Sequence, residues 1–113
     1  MDKKREINKI QEITNVKEFE HIIINHKYVL VDFYTQWCGP CKKISPYVEE
    51  LNKKYNNVKF IKIDIEVNKD IENLSNKLKI ESIPTFILFK NGEQKNMITG
   101  SSKERLDNLL KNL

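Results

Sequence analysis

The sequence predicts an α/β domain: a central mixed five-stranded sheet flanked by four helices. β-branched and aromatic runs alternate with segments of helical period, as in parallel strands joined by crossover helices. Near the C-terminal end, Asn91-Gly92 separates two strand-like runs and marks a tight hairpin, which adds an antiparallel part to the sheet. At 113 residues, about two-thirds of the unfolded surface can be hidden, enough for one core.

Taken in order, Ile10 to Ile13 reads as a short strand, and Thr14-Asn15 as the start signal of a helix in which Val16, Phe19, Ile22 and Ile23 recur at helical spacing. Tyr28 to Tyr34 is nearly all apolar, as expected of a central strand covered on both faces. Ile44, Val48, Leu51 and Tyr55 form one helical stripe. Val58 to Ile65 largely alternates and predicts a strand; Ile71, Leu74 and Leu78 predict the next helix. Thr85 to Phe89 is a strand beginning after Pro84, and Gln94 to Thr99 is its hairpin partner. Gly100-Ser101-Ser102 opens a last helix with a face of Leu106, Leu109, Leu110 and Leu113. The charged segment 1–8 reads as an arm, and 9–113 as the domain.

Composition excludes several classes. The apolar share is 39% and the charged share 32%, which does not suit a disordered chain. No apolar run approaches the 18 residues of a membrane span. The start, Met1 to Glu6, is charged and no apolar signal segment follows. The formal charge is +4, but the cations are mostly lysines spread along the chain, with no helix-turn-helix, aromatic RNA-binding motif or zinc spacing beside them, so nucleic-acid binding is not expected. His21 and His26 read as surface residues of the first helix and its exit.

The informative count is two cysteines. They cannot staple a disulfide-dense scaffold or complete a four-thiolate zinc site, and no further ligands cluster with them, so no metal is expected. They stand as Cys38-Gly39-Pro40-Cys41, between a buried strand and a helix, which is a thiol redox arrangement. If the helix starts at or just after Cys38, the pair occupies one face of the first turn with Cα atoms about 5.5 Å apart, within disulfide range. Cys38 then meets free amides and the positive end of the helix dipole, so its thiolate is favoured. Cys41, one turn in, should be the more buried.

Asp32 is the only acid in an otherwise apolar central strand that runs toward the cysteines. Burial would raise its pKa and let it accept a proton; the plainer reading is a carboxyl satisfied by a backbone amide near the strand end. Lys62, on the neighbouring strand, is either its nearest cation or a snorkelling surface lysine. Trp37 serves as a contact surface beside the thiols or as core. Pro84 reads as an ordinary strand-start proline with a trans bond.

Val29 to Tyr34, Trp37-Cys38-Gly39-Pro40-Cys41-Lys42, Pro46, Ile83-Pro84-Thr85-Phe86 and Phe89-Lys90-Asn91-Gly92 resemble the thioredoxin family, in order and at nearly the family spacing. The resemblance covers about Ile10 to Leu113. It implies Cys38 as nucleophile, Cys41 as resolving thiol, Asp32 as buried acid, Gly39, Pro40 and Lys62 as supporting residues, and Pro46 as a kink in the active-site helix. It implies a cis bond before Pro84, with a substrate peptide lying along the backbone there. Trp37, Ile65, Ser82, Ile83, Thr99 and Gly100 would grip that peptide. The segment Glu66 to Ile83 is a few residues longer than usual in the family, and Tyr34-Thr35-Gln36 replaces an aromatic-Ala-acid run.

The resemblance implies a protein-disulfide reductase without a cofactor beyond its own disulfide. Its partners would be disulfide-containing proteins and an NADPH-dependent thioredoxin reductase as electron donor, and the chain would be a monomer. The Gly-Pro between the cysteines resembles reductant members; oxidases and isomerases of this fold commonly carry His there. A docking or assembly subunit of a larger complex is the alternative. The cytoplasm is the expected compartment, a secretory, vacuolar or organellar lumen being the alternative if a leader was removed.

Overall fold

Tyr28 to Tyr34 forms the strand on which the other elements are hung. In the computed structural model, which describes residues 9–113, it pairs on both edges and is covered on both faces. The arm read over 1–8 lies outside the described residues. The elements in chain order are β1 (Gln11–Glu12), α1 (Val16–Asn25), β2 (Tyr28–Tyr34), α2 (Gly39–Lys54), β3 (Lys59–Asp64), α3 (Lys69–Lys77), β4 (Thr85–Lys90), β5 (Glu93–Thr99) and α4 (Lys103–Lys111). The sheet order is β1-β3-β2-β4-β5. β1, β3 and β2 run parallel, and β4 and β5 are antiparallel.

Because successive strand side chains point to opposite faces, β2 feeds two cores. Val29, Val31 and Phe33 pack with Phe19, Ile22 and Ile23 of α1 and Ile71 of α3. Leu30 faces the other way, among Ile44, Val48 and Leu51 of α2 and Leu106 and Leu110 of α4. Asp32 has the parity of Leu30 and therefore lies on the α2 side. Lys62 has the parity of Phe60, which packs in the same core as Leu30, and pairs in register with Asp32.

The helices start where capping side chains are available. Asn15 Oδ1 accepts the Glu18 amide at 2.8 Å, Asn68 Oδ1 that of Ile71 at 2.9 Å, and Ser102 Oγ that of Arg105 at 3.2 Å, each satisfying a first-turn N–H that has no helical partner. Helix α2 has a sulfur at this position. Pro40 fits its first turn, where no N–H is needed, and Lys53 and Lys54 lie in its last turn, at the negative end of the dipole. Pro46 lies inside the helix.

Element ends differ from the sequence reading. Only Gln11 and Glu12 form strand β1, although Ile13 N–H still donates to the Lys62 carbonyl at 3.0 Å. Helix α2 does begin just after Cys38, as the cysteine spacing predicts, five residues before its first stripe residue, Ile44. Ile65 leaves β3 but keeps one bond, its N–H to the Tyr34 carbonyl at 3.0 Å. Leu113 lies beyond the end of α4 and is exposed.

The β4–β5 hairpin turns on Asn91 (φ 52°) and Gly92 (φ 82°), both left-handed, as a two-residue turn of this kind requires. A Cβ on Gly92 would also come within 3.2 Å of Ile24 Cγ2. Gly92→Ala is expected to lose about 1–2 kcal/mol of stability. Gly39→Ala, where a Cβ would meet nothing within 4 Å, should be neutral or slightly stabilising. Denaturant midpoints of the two variants check this; equal midpoints would refute it.

Candidate functional site

The parallel strands β2 and β3 end side by side, and the loops leaving their carboxyl ends build the site, the usual place in an α/β sheet. After β2, residues 35–37 lead to Cys38, the N-cap of α2. Cys38 and Cys41 form a disulfide with Cα atoms 5.3 Å apart. The Cys41 amide donates to Cys38 Sγ at 3.1 Å. A cysteine sulfur thus takes the role that Asn or Ser oxygens take in the other helices. Any negative charge on Cys38 would face that N–H and the dipole's positive end.

The expected difference in burial is not present. Cys38 is 3% exposed and Cys41 6%. In the disulfide the two sulfurs face each other across the first turn and Cys38 Sγ is turned in toward the amide. Trp37 is the exposed group instead, at 69%, and its Nε1–H donates to Glu66 Oε1 at 3.0 Å.

Asp32 lies beneath α2. Its Oδ1 is closed to solvent and has no hydrogen-bond partner among the described residues, so the backbone-satisfied alternative does not apply to that oxygen. Burial pushes its pKa up to about 7, against a smaller opposing pull from Lys62. A cavity of about 110 Å3 runs from Asp32 and Lys62 past Thr35 and Ser45 to Cys41, wide enough to admit water. Thr35 Oγ1 is likewise buried without a partner. Asp32, Ser45 and Lys62 also border a second cavity, toward Lys9, Ile10 and Glu49.

Trp37, which adjoins Cys38 in the chain, lines a cleft together with Ile65, Ser82, Ile83, Thr35, Glu66, Ile80 and Glu81. The Ile83–Pro84 bond is cis, as the family resemblance implies and against the trans bond that sequence physics alone gives. Thr99 and Gly100, expected in the same contact surface, are not among the cleft's lining residues. Thr99 pairs with Thr85, and the Gly100 N–H donates to the Pro84 carbonyl at 2.8 Å.

Several site residues escaped the sequence reading. Ser45 had a usable signal, since it stands four residues after Cys41 and shares its helical face. Glu66 and Glu81 had none; they reach the cleft from separate loops far from the cysteines in sequence. Asp64 is buried, accepting the Glu66 amide at 2.9 Å and the Gln36 side-chain amide at 3.2 Å, and so ties the two loops together. Among the described residues, no group of three or more His, Cys, Asp or Glu is placed to hold a metal, and no helix is long and apolar enough to cross a membrane.

Residues 10–112 match the family model described as Thioredoxin. The chain belongs to the thioredoxin family. It is 38% identical over 98 residues to thioredoxin 1 of Plasmodium falciparum, covering 87% of this chain and 91% of that protein. A thioredoxin-2 of Pyricularia oryzae is 32% identical over 101 residues, 89% of this chain but 57% of that longer protein. The oxidised mitochondrial thioredoxin 3 of Saccharomyces cerevisiae superposes with a TM-score of 0.86 at 32% identity, over 92% of this chain and 95% of that one. Thioredoxins are thiol–disulfide oxidoreductases, and this protein is a protein-disulfide reductase with a redox-active disulfide. These likenesses do not favour the docking-subunit alternative.

Asp32 makes the fold pH-sensitive. Its folded pKa lies above its unfolded one, so the folded state holds the extra proton and is fully favoured only below the unfolded value; stability falls as pH rises from about 4 to about 7. Asp32→Asn removes the ionising group and should raise stability at pH 8 by about 2–4 kcal/mol, with little gain at pH 4. Equal gains at both pH values, read from urea midpoints, would exclude the buried charge as the cause.

Proposed function

We propose that Cys38 is the nucleophile, Cys41 the resolving thiol and Asp32 the proton acceptor of the reductase. The observation that carries this reading is the Cys38 sulfur at the N-cap of α2, accepting the Cys41 amide. In the reduced protein the Cys38 thiolate attacks one sulfur of a substrate disulfide; a mixed disulfide forms and the first substrate thiolate leaves. Cys41 then loses its proton through the cavity to Asp32, and its thiolate attacks the Cys38 sulfur. The second substrate thiolate leaves and the Cys38–Cys41 disulfide remains. Two electrons pass to the substrate; one proton reaches its thiols from Cys41 by way of Asp32, and the other, which Cys38 had already given up, comes from solvent.

Gly39 and Pro40 shape the first turn, and Lys62 lowers the cost of charge on Asp32. Pro84 and the cleft of Trp37, Ile65, Ser82 and Ile83 receive the substrate backbone and its apolar side chains; Thr99 and Gly100 support Pro84 from behind. The redox centre is the cysteine pair itself, without a metal or other cofactor. Disulfide-bearing proteins are the substrates, and an NADPH-dependent thioredoxin reductase returns the electrons. The domain, residues 9–113, works as a monomer, with 1–8 as an appended arm. The cytoplasm, whose glutathione poise keeps thiols reduced, suits this chemistry.

Cys38→Ser is expected to abolish reduction of insulin disulfides while keeping the fold, because a serine oxygen caps the helix equally well. Cys41→Ser should accumulate mixed disulfides, visible by mass spectrometry. Turnover retained in Cys38→Ser would sink the assignment. Resolution should speed up as pH rises through about 7, when Asp32 ionises. Asp32→Asn should lose that rise and slow resolution at least about tenfold, below the usual span for a general base because solvent reaches the same cavity. Stopped-flow decay of the mixed disulfide measures both.

A further inference from the structure

The chain carries 20 Lys and Arg against 16 Asp and Glu, so a surface cleft bordered by random residues would more often be cationic than anionic. The cleft beside the disulfide has the opposite sign. Trp37, Ile65, Ile80 and Ile83 supply its apolar surface, and among the described residues the only charged side chains lining it are Glu66 and Glu81. Both are exposed. Glu66 is held in place, since one carboxylate oxygen accepts the Trp37 indole N–H; its other oxygen is left for a ligand. Glu81 stands three residues before Pro84, on the segment along which a substrate backbone would lie. The cavity at Cys41 differs, being bordered by Lys42 and Lys62 together with Asp32.

We propose that Glu66 and Glu81 are specificity-determining residues, selecting disulfides that carry Lys or Arg beside the attacked cysteine. The proposal rests on the reductase reading. Sign complementarity across a contact raises the encounter rate and disfavours partners of the wrong charge. A basic side chain next to the cysteine lies along the Trp37 and Ser82 side, where two carboxylates meet it and no cation competes. An acidic one is repelled by both. The interaction is exposed, so salt screens it over a Debye length of about 8 Å at physiological ionic strength.

Three synthetic peptides with the same internal disulfide and Lys, Gln or Glu flanking one cysteine test this directly. Their kcat/KM values are measured for the wild-type protein and for Glu81→Lys, at low and high ionic strength. Each is divided by the rate of the same peptide with dithiothreitol, which removes the effect of the neighbouring charge on the disulfide itself. The wild type should reduce all three and favour the Lys peptide over the Glu peptide by at least about fivefold at low salt, with the gap closing as salt is added. Glu81→Lys should abolish or invert the preference. Equal normalised rates for the Lys and Glu peptides, with the Gln peptide still reduced, would overturn the charge selection while leaving the reductase intact. So would a preference that persists unchanged in Glu81→Lys. Failure to reduce any of the three would instead overturn the reductase reading, and the selection with it.

Discussion

A sulfur atom caps the helix that carries the chemistry, and the rest of the site depends on that substitution of sulfur for oxygen. Oxygen acceptors at Asn15, Asn68 and Ser102 do nothing more than satisfy an amide. At Cys38 the same geometry gives a reactive atom a hydrogen bond and the positive end of a helix of 16 residues. Both favour the thiolate over the thiol. In the proposed mechanism local backbone thus tunes Cys38 without a neighbouring histidine or lysine. The residues between the cysteines fit the same demand: Gly39 leaves the approach open, and Pro40 occupies a position whose N–H would have no partner.

Asp32 is the opposing element. An acid beneath α2, with one oxygen unsatisfied, is a cost to folding that a well-packed apolar residue would not impose. The strand pairing limits that cost, because register sets Lys62 opposite Asp32 and period two turns both to the same face. The same pairing puts the carboxyl at the end of a cavity that reaches Cys41. A group with a pKa of about 7 changes charge near neutral pH, the condition for a proton acceptor that must later give its proton up. Stability and chemistry thus pull in opposite directions on one side chain.

Most of this was readable from the sequence wherever the signal is local. Strand β2 was placed to the residue because Tyr28 to Tyr34 is one continuous apolar run interrupted by a single acid. The four helices are legible from their buried stripes, and the start of α2 just after Cys38, ahead of its first stripe residue Ile44, is legible from the cysteine pair rather than from an apolar period. The relative exposure of Cys38 and Cys41 was misjudged because a disulfide turns both sulfurs to a shared interior contact. The cis bond before Pro84 is legible only through the family resemblance, because its isomer depends on tertiary context and not on the Ile-Pro dipeptide. Glu66, Glu81 and Asp64 were missed because they meet Trp37 and Gln36 only after the carboxyl ends of β2 and β3 are brought together.

Net charge shows the same limit from the other direction. A total of +4 describes the chain, yet its charges are unevenly placed about the site. Lys42, Lys62 and Asp32 lie by the Cys41 cavity, and Glu66 and Glu81 by the cleft on the Trp37 side. Asp64 has its two oxygens taken by the Glu66 amide and the Gln36 side chain. It fixes the loop that carries Glu66, and the Trp37 indole fixes the Glu66 side chain in turn. The Glu66 part of the cleft is therefore built on the two adjacent strands that also place Cys38 and Asp32, while Glu81 comes from the connection before β4. A shift of β3 by one residue would turn Lys62 to the opposite face from Asp32 and displace Glu66 from Trp37, so one strand register sets both the surroundings of the buried carboxyl and the seat of the Trp37 indole, the two features on which the proposed proton transfer and charge selection rest.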